Sequence, residues 1–494
     1  MNRAEKFIDW CDKAMAFSFY ALIYFLPISI ALSEIFTALA LVSYLFKRLA
    51  WFCTHVRGRV QERTSAAFMD NNFIFFFRSF KPVENYLNGP ILILLSFSLI
   101  SVFVSRHPML SIEGFLGKVL QSTFLYFNFI ECINSKKRLR KFLIVFLIST
   151  TLISVNGLYQ HFTGKDFIHG HLVSNGRISS SFRAHNDFAA YLIVVVPIFL
   201  SLSVFNAANG IKRLSGDYSG KHISPQFFSG KWRVLIFVVF ILSLACLGLT
   251  FSRGAWIAFA FVMAIFSVQK KRYIIINGLI LILFFGFFYP QLKETRRVSL
   301  VADSVPAKDD IEQAPDVDGG AGIQKVAIQK KIDILETSKE MLEIIGAFGG
   351  SGRSGYWMEA IHMIRDYPVF GVGLNTYSVV GRGYKITWGG YPHNCYLQMA
   401  VETGILGLLS FLWVIGVLFY RSIRNLTHMR DPLLGMLLLG SLIGLGGFLV
   451  HSFFDTNFYS VQLGSFMWLV MGLIVAIQKI DKASEGTEGA QCFS

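Results

Sequence analysis

Apolar runs bounded by charged or turn residues recur along the whole chain. They lie near 14–29, 31–46, 90–104, 112–131, 141–160, 187–205, 234–250, 254–268, 273–290, 397–420, 432–451 and 460–478. Each approaches the roughly 20 residues that a helix needs to cross the hydrocarbon of a bilayer. The pattern predicts an all-α fold, a polytopic membrane helix bundle of about 12 transmembrane helices. The first two runs are separated only around Pro27 to Ser33, which predicts a tight hairpin. The expected organisation is helices 1–9 over 1–290, a large outer loop over 291–396, helices 10–12 over 397–480 and a cytoplasmic tail over 481–494.

Composition agrees with a membrane protein. Of 494 residues, 53% are AVILMFWYC and 16% are charged, well under the roughly 25% charged of soluble domains. With 49 Phe and 8 Trp against 12 Pro, disorder and collagen-like repeats are excluded too. The net charge of +15 would suggest nucleic acid in a soluble chain. Here its placement matters more, and no nucleic-acid partner is expected. With the N-terminus cytoplasmic, inner segments hold 28 Lys and Arg, whereas the short outer loops hold five: Arg106, Lys165, Arg177, Arg183 and Arg253. This asymmetry supports the even number of spans and their orientation. The first apolar run passes straight into the second without a small-residue cleavage site, so it is expected to remain as an anchor. Cys11, Cys53, Cys132 and Cys492 fall on the cytoplasmic side, Cys246 in a span and Cys395 near the outer side; no disulfide framework or CxxC zinc signature is expected.

The outer loop is too long to be a plain connector. Its acidic first part, VADSVPAKDDIEQAPDVDGGAG, is unpatterned. Val326, Ile332, Leu335, Leu342 and Ile345 then predict an amphipathic helix, on the membrane surface or on the bundle. A second helix is predicted over 354–366, with Trp357, Ile361 and Ile364 on one face and Pro368 ending it.

Outer arginines run against the positive-inside trend. Arg177 and Arg183 stand in NGRISSSFRAHNDFAAYL, Arg253 in the short turn TFSRGAW, and Arg353, Arg365 and Arg382 in the large loop. Each taken singly reads as a headgroup-seeking side chain or a helix cap. Several on one face read as an anion site, since guanidinium groups bind phosphate oxygens in pairs and keep their charge. His393 opens the tenth span, with Asn394, Gln398 and Glu402 following at near-helical spacing. A neutral imidazole there can accept a hydroxyl proton, or simply form a cap. Glu402 lies two turns inside the apolar zone, where an acid is costly and is explained by function or by pairing with an outer arginine.

The stretches RISSSFRAHNDFAAYL, TFSRGAW and RSGYWMEAIHMIRDYPVFGVGLNTY followed by PHNCYLQMAVETGILG resemble, in order and spacing, the O-antigen ligase and polymerase superfamily. The resemblance runs from about Asn156 to Phe411, and its last block is the most specific part. It implies a GT-C-like fold with the active site between the outer helix ends and a large helical periplasmic loop, in the inner membrane of a bacterium. It also implies transfer of a glycan from an undecaprenyl-diphosphate carrier to an acceptor hydroxyl, with inversion and without a metal or cofactor. The implied acceptor is the lipid A core for ligases, another carrier-linked glycan for polymerases, and a protein side chain for a related group.

Carried over by position, Arg183 or Arg177, together with Arg253, correspond to the arginines that hold the diphosphate. Arg353 corresponds to the loop arginine, and His393 to the histidine that activates the acceptor. Asn186, Asn394 and Glu402 are expected to support them. Where relatives often show Pro before Asn, this chain has His185.

On this reading fixed cations stabilise the charge growing on the departing diphosphate and replace the divalent metal of other glycosyltransferases. The outer loops show no DxD, and the HGH at His169 to His171 lacks partners at metal-ligand spacing. The rival from another class is a transporter of anionic lipid-linked sugars. GSLIG at Gly440 to Gly444, a small-residue packing motif, suits either. A transporter would be expected to show matching interrupted spans in its two halves, and the sequence shows no such pair.

Overall fold

The computed structural model describes residues 3–60, 80–214, 230–268, 271–303, 353–387 and 389–491. The acidic insert beyond Asp303, the amphipathic helix expected around Val326 to Ile345, the basic residues Arg63, Arg78, Lys221 and Lys270, and Cys492 lie outside them.

Lipid offers no hydrogen bonds, so each apolar run satisfies its backbone internally as helix. In chain order these are α1 (Arg3–Phe25), α2 (Ile30–Val60), α3 (Asn88–Val104), α4 (Pro108–Gly114) continued through a π-helical turn (Phe115–Leu120) into α5 (Gln121–Cys132), α6 (Lys136–Thr163) and α7 (His185–Leu214). There follow α8 (Gly230–Leu249), α9 (Arg253–Val268), α10 (Lys271–Asp303), the short α11 (Ser354–Asp366) and α12 (Tyr377–Gly381), then α13 (Cys395–Leu426), α14 (Pro432–His451) and α15 (Val461–Gln491). A helix thus stands at every place where the sequence carries an apolar run, and α10 runs on past the ninth run to Asp303. Among the described residues, seven helices are long and apolar enough to cross a membrane: α2, α6, α7, α8, α13, α14 and α15. Shorter apolar helical stretches lie in α3, α9 and α10. The protein is an all-helical, multi-pass membrane protein.

Helix α7 forms the centre, with Phe188 to Val196 buried on every side. GSLIG on α14 meets it: a Cβ on Gly440 would lie 2.9 Å from the Pro197 carbonyl oxygen, and one on Gly444 2.7 Å from that of Val194. Small residues there bring the two backbones into contact, as is common between membrane helices. At the end that the charge pattern assigns to the cytoplasm, ion pairs join four helices. Lys47 reaches Asp12 at 2.6 Å and Glu131 at 2.8 Å, and Arg138 reaches Asp12 at 2.6 Å.

At the opposite end the turns lock together. Gln462 Nε2 donates to Leu26 O (2.7 Å), Ser181 Oγ to Pro27 O (2.5 Å), Ile178 N to Leu249 O (3.3 Å) and Cys395 N to Ser452 O (2.9 Å). Every short outer turn expected to carry function therefore meets at one mouth, apart from the α3–α4 turn, which packs beside Gly373.

Helix α13 is broken at Gly404, whose φ of 73° and ψ of 178° suit glycine alone. The broken turn frees backbone groups, and PVFGVG of the outer loop takes them up. Val372 N donates to Val401 O (2.9 Å), Gly373 N to Glu402 O (3.0 Å) and Ile405 N to Pro368 O (2.8 Å). The loop thereby becomes part of the bundle and brings α11 against α13.

Candidate active site

Asn394 caps α13, its side chain accepting from Tyr396 N (3.0 Å) and Leu397 N (3.1 Å). The residue before it, His393, sits in the left-handed region at φ 47°, a conformation uncommon outside glycine. That backbone turns the ring toward the mouth, with 43% of the side chain exposed. Its Nδ1 lies 3.3 Å from Asp455 Oδ1, and Tyr356 packs edge-on against the ring with centroids 5.7 Å apart.

Asp455, in the turn between α14 and α15, is buried. Burial pushes its carboxyl up, but the hydrogen bonds from His393 and Thr456 N (2.8 Å), with the positive field of the histidines, outweigh it and hold it at about 2. An ionised carboxylate only accepts, so His393 donates from Nδ1, and in the neutral ring Nε2 carries the lone pair.

The arginines arrive from three segments. The α6–α7 hairpin carrying Arg177 and Arg183 is clipped down by buried polar groups of α6. Gln160 Oε1 accepts from Ser179 N (2.9 Å) and Ser180 N (2.7 Å), while Asn156 Oδ1 accepts from Phe167 N (2.9 Å). Asp166, in the same hairpin, accepts from Ile168 N (2.9 Å), His169 N (2.8 Å) and His171 N. Burial raises its carboxyl, and these donors more than reverse that and leave it low. The HGH stretch is thus folded around one carboxylate through its backbone.

Arg253 begins α9 and is exposed. Ser252 beside it donates to Asn186 Oδ1 (2.8 Å), tying the start of α9 to the start of α7. A Cβ on Gly254 would lie 2.8 Å from Phe454 Cβ, so α9 sits directly on the turn that bears Asp455. Arg353, preceding α11, donates from Nη1 to Phe454 O in that same turn. Burial lowers the Arg177 guanidinium and the charge of Arg253 lowers it further. Burial lowers Arg353 as well, Asp455 partly offsets this, and Arg253 adds to it. Arg253 acts electrostatically on both, and the Ser252–Asn186, Gly254–Phe454 and Arg353–Phe454 contacts bring the segments that carry the three arginines to one mouth. None of the three makes an ion pair among the described residues.

Of the residues expected from the sequence, His393, Arg177, Arg253, Arg353, Asn186 and Asn394 come together at this mouth. Arg183 is exposed and makes no hydrogen bond or ion pair among the described residues. Glu402 meets no outer arginine. It accepts from Asn375 N (3.0 Å) and Gln398 Nε2 (3.1 Å), beside Lys118 of the π-helical turn, and fastens the loop at the break in α13. The residues that sequence reasoning missed are Asp455 and His451, while His185 stood out only as a departure from the family pattern. His451 Nδ1 accepts from Asn457 Nδ2 at 2.9 Å, and its Nε2 lies 3.5 Å from Ser252 Oγ. The signal in the sequence is HSFFDTN, an acid and a histidine in one short turn.

Residues 238–412 match the family model described as O-antigen ligase. Over that stretch, about a third of the chain, the sequence is similar to the O-antigen ligase superfamily. The matched region runs from α8 to the middle of α13 and includes Arg253, Arg353, His393 and Glu402. The exopolysaccharide production protein ExoQ of Rhizobium meliloti (strain 1021) is 31% identical over 104 residues, 18% of this chain and 24% of that protein. The chain therefore spans about a quarter of the length of this relative.

Proposed function

We propose that this protein is a bacterial inner-membrane glycosyltransferase of the O-antigen ligase type. It moves a glycan from an undecaprenyl-diphosphate carrier to an acceptor hydroxyl, the lipid A core being the acceptor, at the periplasmic mouth of the bundle. The observation that carries this reading is a group of arginines without ion pairs among the described residues, beside a histidine whose Nδ1 faces Asp455. Arg177, Arg253 and Arg353 have no carboxylate partner of their own among the described residues, and the nearby Asp455 is engaged by His393 and Thr456. Like charges are crowded in this way where a polyanion is to be held.

In the proposed reaction His393 Nε2 takes the proton of the acceptor hydroxyl as its oxygen bonds to the anomeric carbon. The bond from that carbon to the diphosphate oxygen breaks on the opposite face, which inverts the centre. Its electron pair leaves with the lipid diphosphate, and the fixed guanidinium groups stabilise that charge. Asp455 holds the imidazole in the tautomer that leaves Nε2 open and stabilises the imidazolium once formed.

A polymerase reading, with a carrier-linked glycan as acceptor, is favoured by the relative named for exopolysaccharide production. Purified protein incubated with an undecaprenyl-diphosphate glycan and, separately, lipid A core, a second carrier-linked glycan and a hydroxyl-bearing peptide distinguishes these. The ligase reading expects the lipid A core alone to be extended. Extension of the carrier-linked glycan instead makes the protein a polymerase, and donor turnover with no hydroxyl acceptor overturns both.

A further inference from the structure

Two arginines of the α6–α7 hairpin fit the position of a donor-binding residue, and the structure treats them differently. Arg183 points into solvent. Arg177 is fixed at both ends. Its backbone pairs with Ser174 (Arg177 N to Ser174 O, 2.9 Å), and the next residue, Ile178, is bound to Leu249 O. Its guanidinium Nη1 lies 3.1 Å from His185 Nε2. A guanidinium has donors only, so the imidazole Nε2 accepts and carries no proton. The Nε of Arg177 is buried with no hydrogen-bond partner, which leaves His185 as the one side-chain acceptor this guanidinium has among the described residues.

His185 itself is well placed to act as a fixed post. It is the first residue of α7, and its neighbour Asn186 is tied to Ser252 at the start of α9, next to Arg253. The charged and titratable groups acting on it are Arg177, Asp455 and His451. An arginine beside another guanidinium would otherwise swing outward to water, since repulsion from Arg253 favours separation.

We infer that His185 is a positioning residue for the donor: by accepting from Arg177 it holds that guanidinium in the cluster, against the repulsion of Arg253, where the lipid diphosphate binds. This rests on the function proposed above and selects Arg177 over Arg183 as the donor arginine. Holding the cation in place before the ligand arrives removes an ordering cost from binding.

The test is the affinity of the purified full-length protein for undecaprenyl diphosphate. Variants are His185→Leu, which lacks an acceptor, His185→Met, whose thioether is only a weak one, His185→Gln, which keeps a strong one, Arg177→Ala, Arg183→Ala and the double variant His185→Leu/Arg177→Ala. Loss of one charged hydrogen bond corresponds to about a tenfold weakening for His185→Leu and His185→Met. His185→Gln should recover to within about threefold of wild type, and the double variant should bind no more weakly than Arg177→Ala, since one residue acts through the other. Arg183→Ala should bind like wild type. Wild-type affinity in the folded Leu or Met variant, or a His185→Leu loss that adds fully to that of Arg177→Ala, overturns the inference while leaving the donor site standing. A wild-type protein that does not bind undecaprenyl diphosphate overturns the proposed function and this inference together.

Discussion

At the scale of single residues, the account divides labour between His393 and the arginines. Replacing His393 by Ala removes the proton acceptor, and transfer should fall by about 10²- to 10⁴-fold while membrane insertion and donor binding persist. A steady-state assay with separate donor-binding data checks this, and retained transfer would remove the base assignment. Asp455→Asn offers the imidazole an amide in place of a carboxylate, which favours the wrong tautomer; the rate should fall about 100-fold with donor affinity kept. The carboxyl of Asp455 is held at about 2, below its unfolded value of roughly 4. Its contribution to stability is therefore complete above the unfolded value and fades as pH falls from about 4 towards 2. The difference in melting temperature between wild type and Asp455→Asn should be constant above that window and shrink within it. His393, Asn394 and the arginines were legible because motif order and outer placement marked them. Asp455 was not, because it faces His393 across a separation of 62 residues, from a turn whose acid carries no spacing signal.

Among elements, hydropathy made the existence and order of the helices legible, while α1, α2, α10 and α15 extend well beyond their apolar runs; the 354–366 helix was readable from the spacing of Trp357, Ile361 and Ile364. The break in α13 was not. ETGILG continues the apolar periodicity, and only the tertiary partner, PVFGVG, explains why Gly404 leaves the helical region. At Gly404 a Cβ would run into the carbonyl of Val369 in a conformation that other residues avoid. Gly404→Ala should cost about 1–3 kcal/mol from backbone strain alone and loosen the loop that carries Arg353. Gly416→Ala in the same helix, where a Cβ meets nothing within 4 Å, should be neutral. Thermal melting of the two variants in detergent tests the contrast, and equal melting temperatures would contradict the docking role given to the break.

For the whole molecule, twelve apolar runs and the alternation of basic loops predicted one mouth, and the turns do meet there. Impermeant thiol labelling of intact cells should modify Arg183→Cys and Tyr391→Cys from outside, and Lys137→Cys only after permeabilisation. Labelling of the first two on opposite sides would dismantle the shared site. The central claim is that clustered guanidinium groups grip a lipid diphosphate while one imidazole primes an alcohol. Single-turnover transfer from an undecaprenyl-diphosphate glycan, followed with wild type, Arg253→Ala and His393→Ala at rising donor concentration, tests it most directly. The account predicts that excess donor restores the part of the Arg253→Ala rate lost to weaker binding, leaving the part lost to leaving-group stabilisation, and restores none of that of His393→Ala. Equal rescue of both variants, or wild-type rates in either, would contradict it.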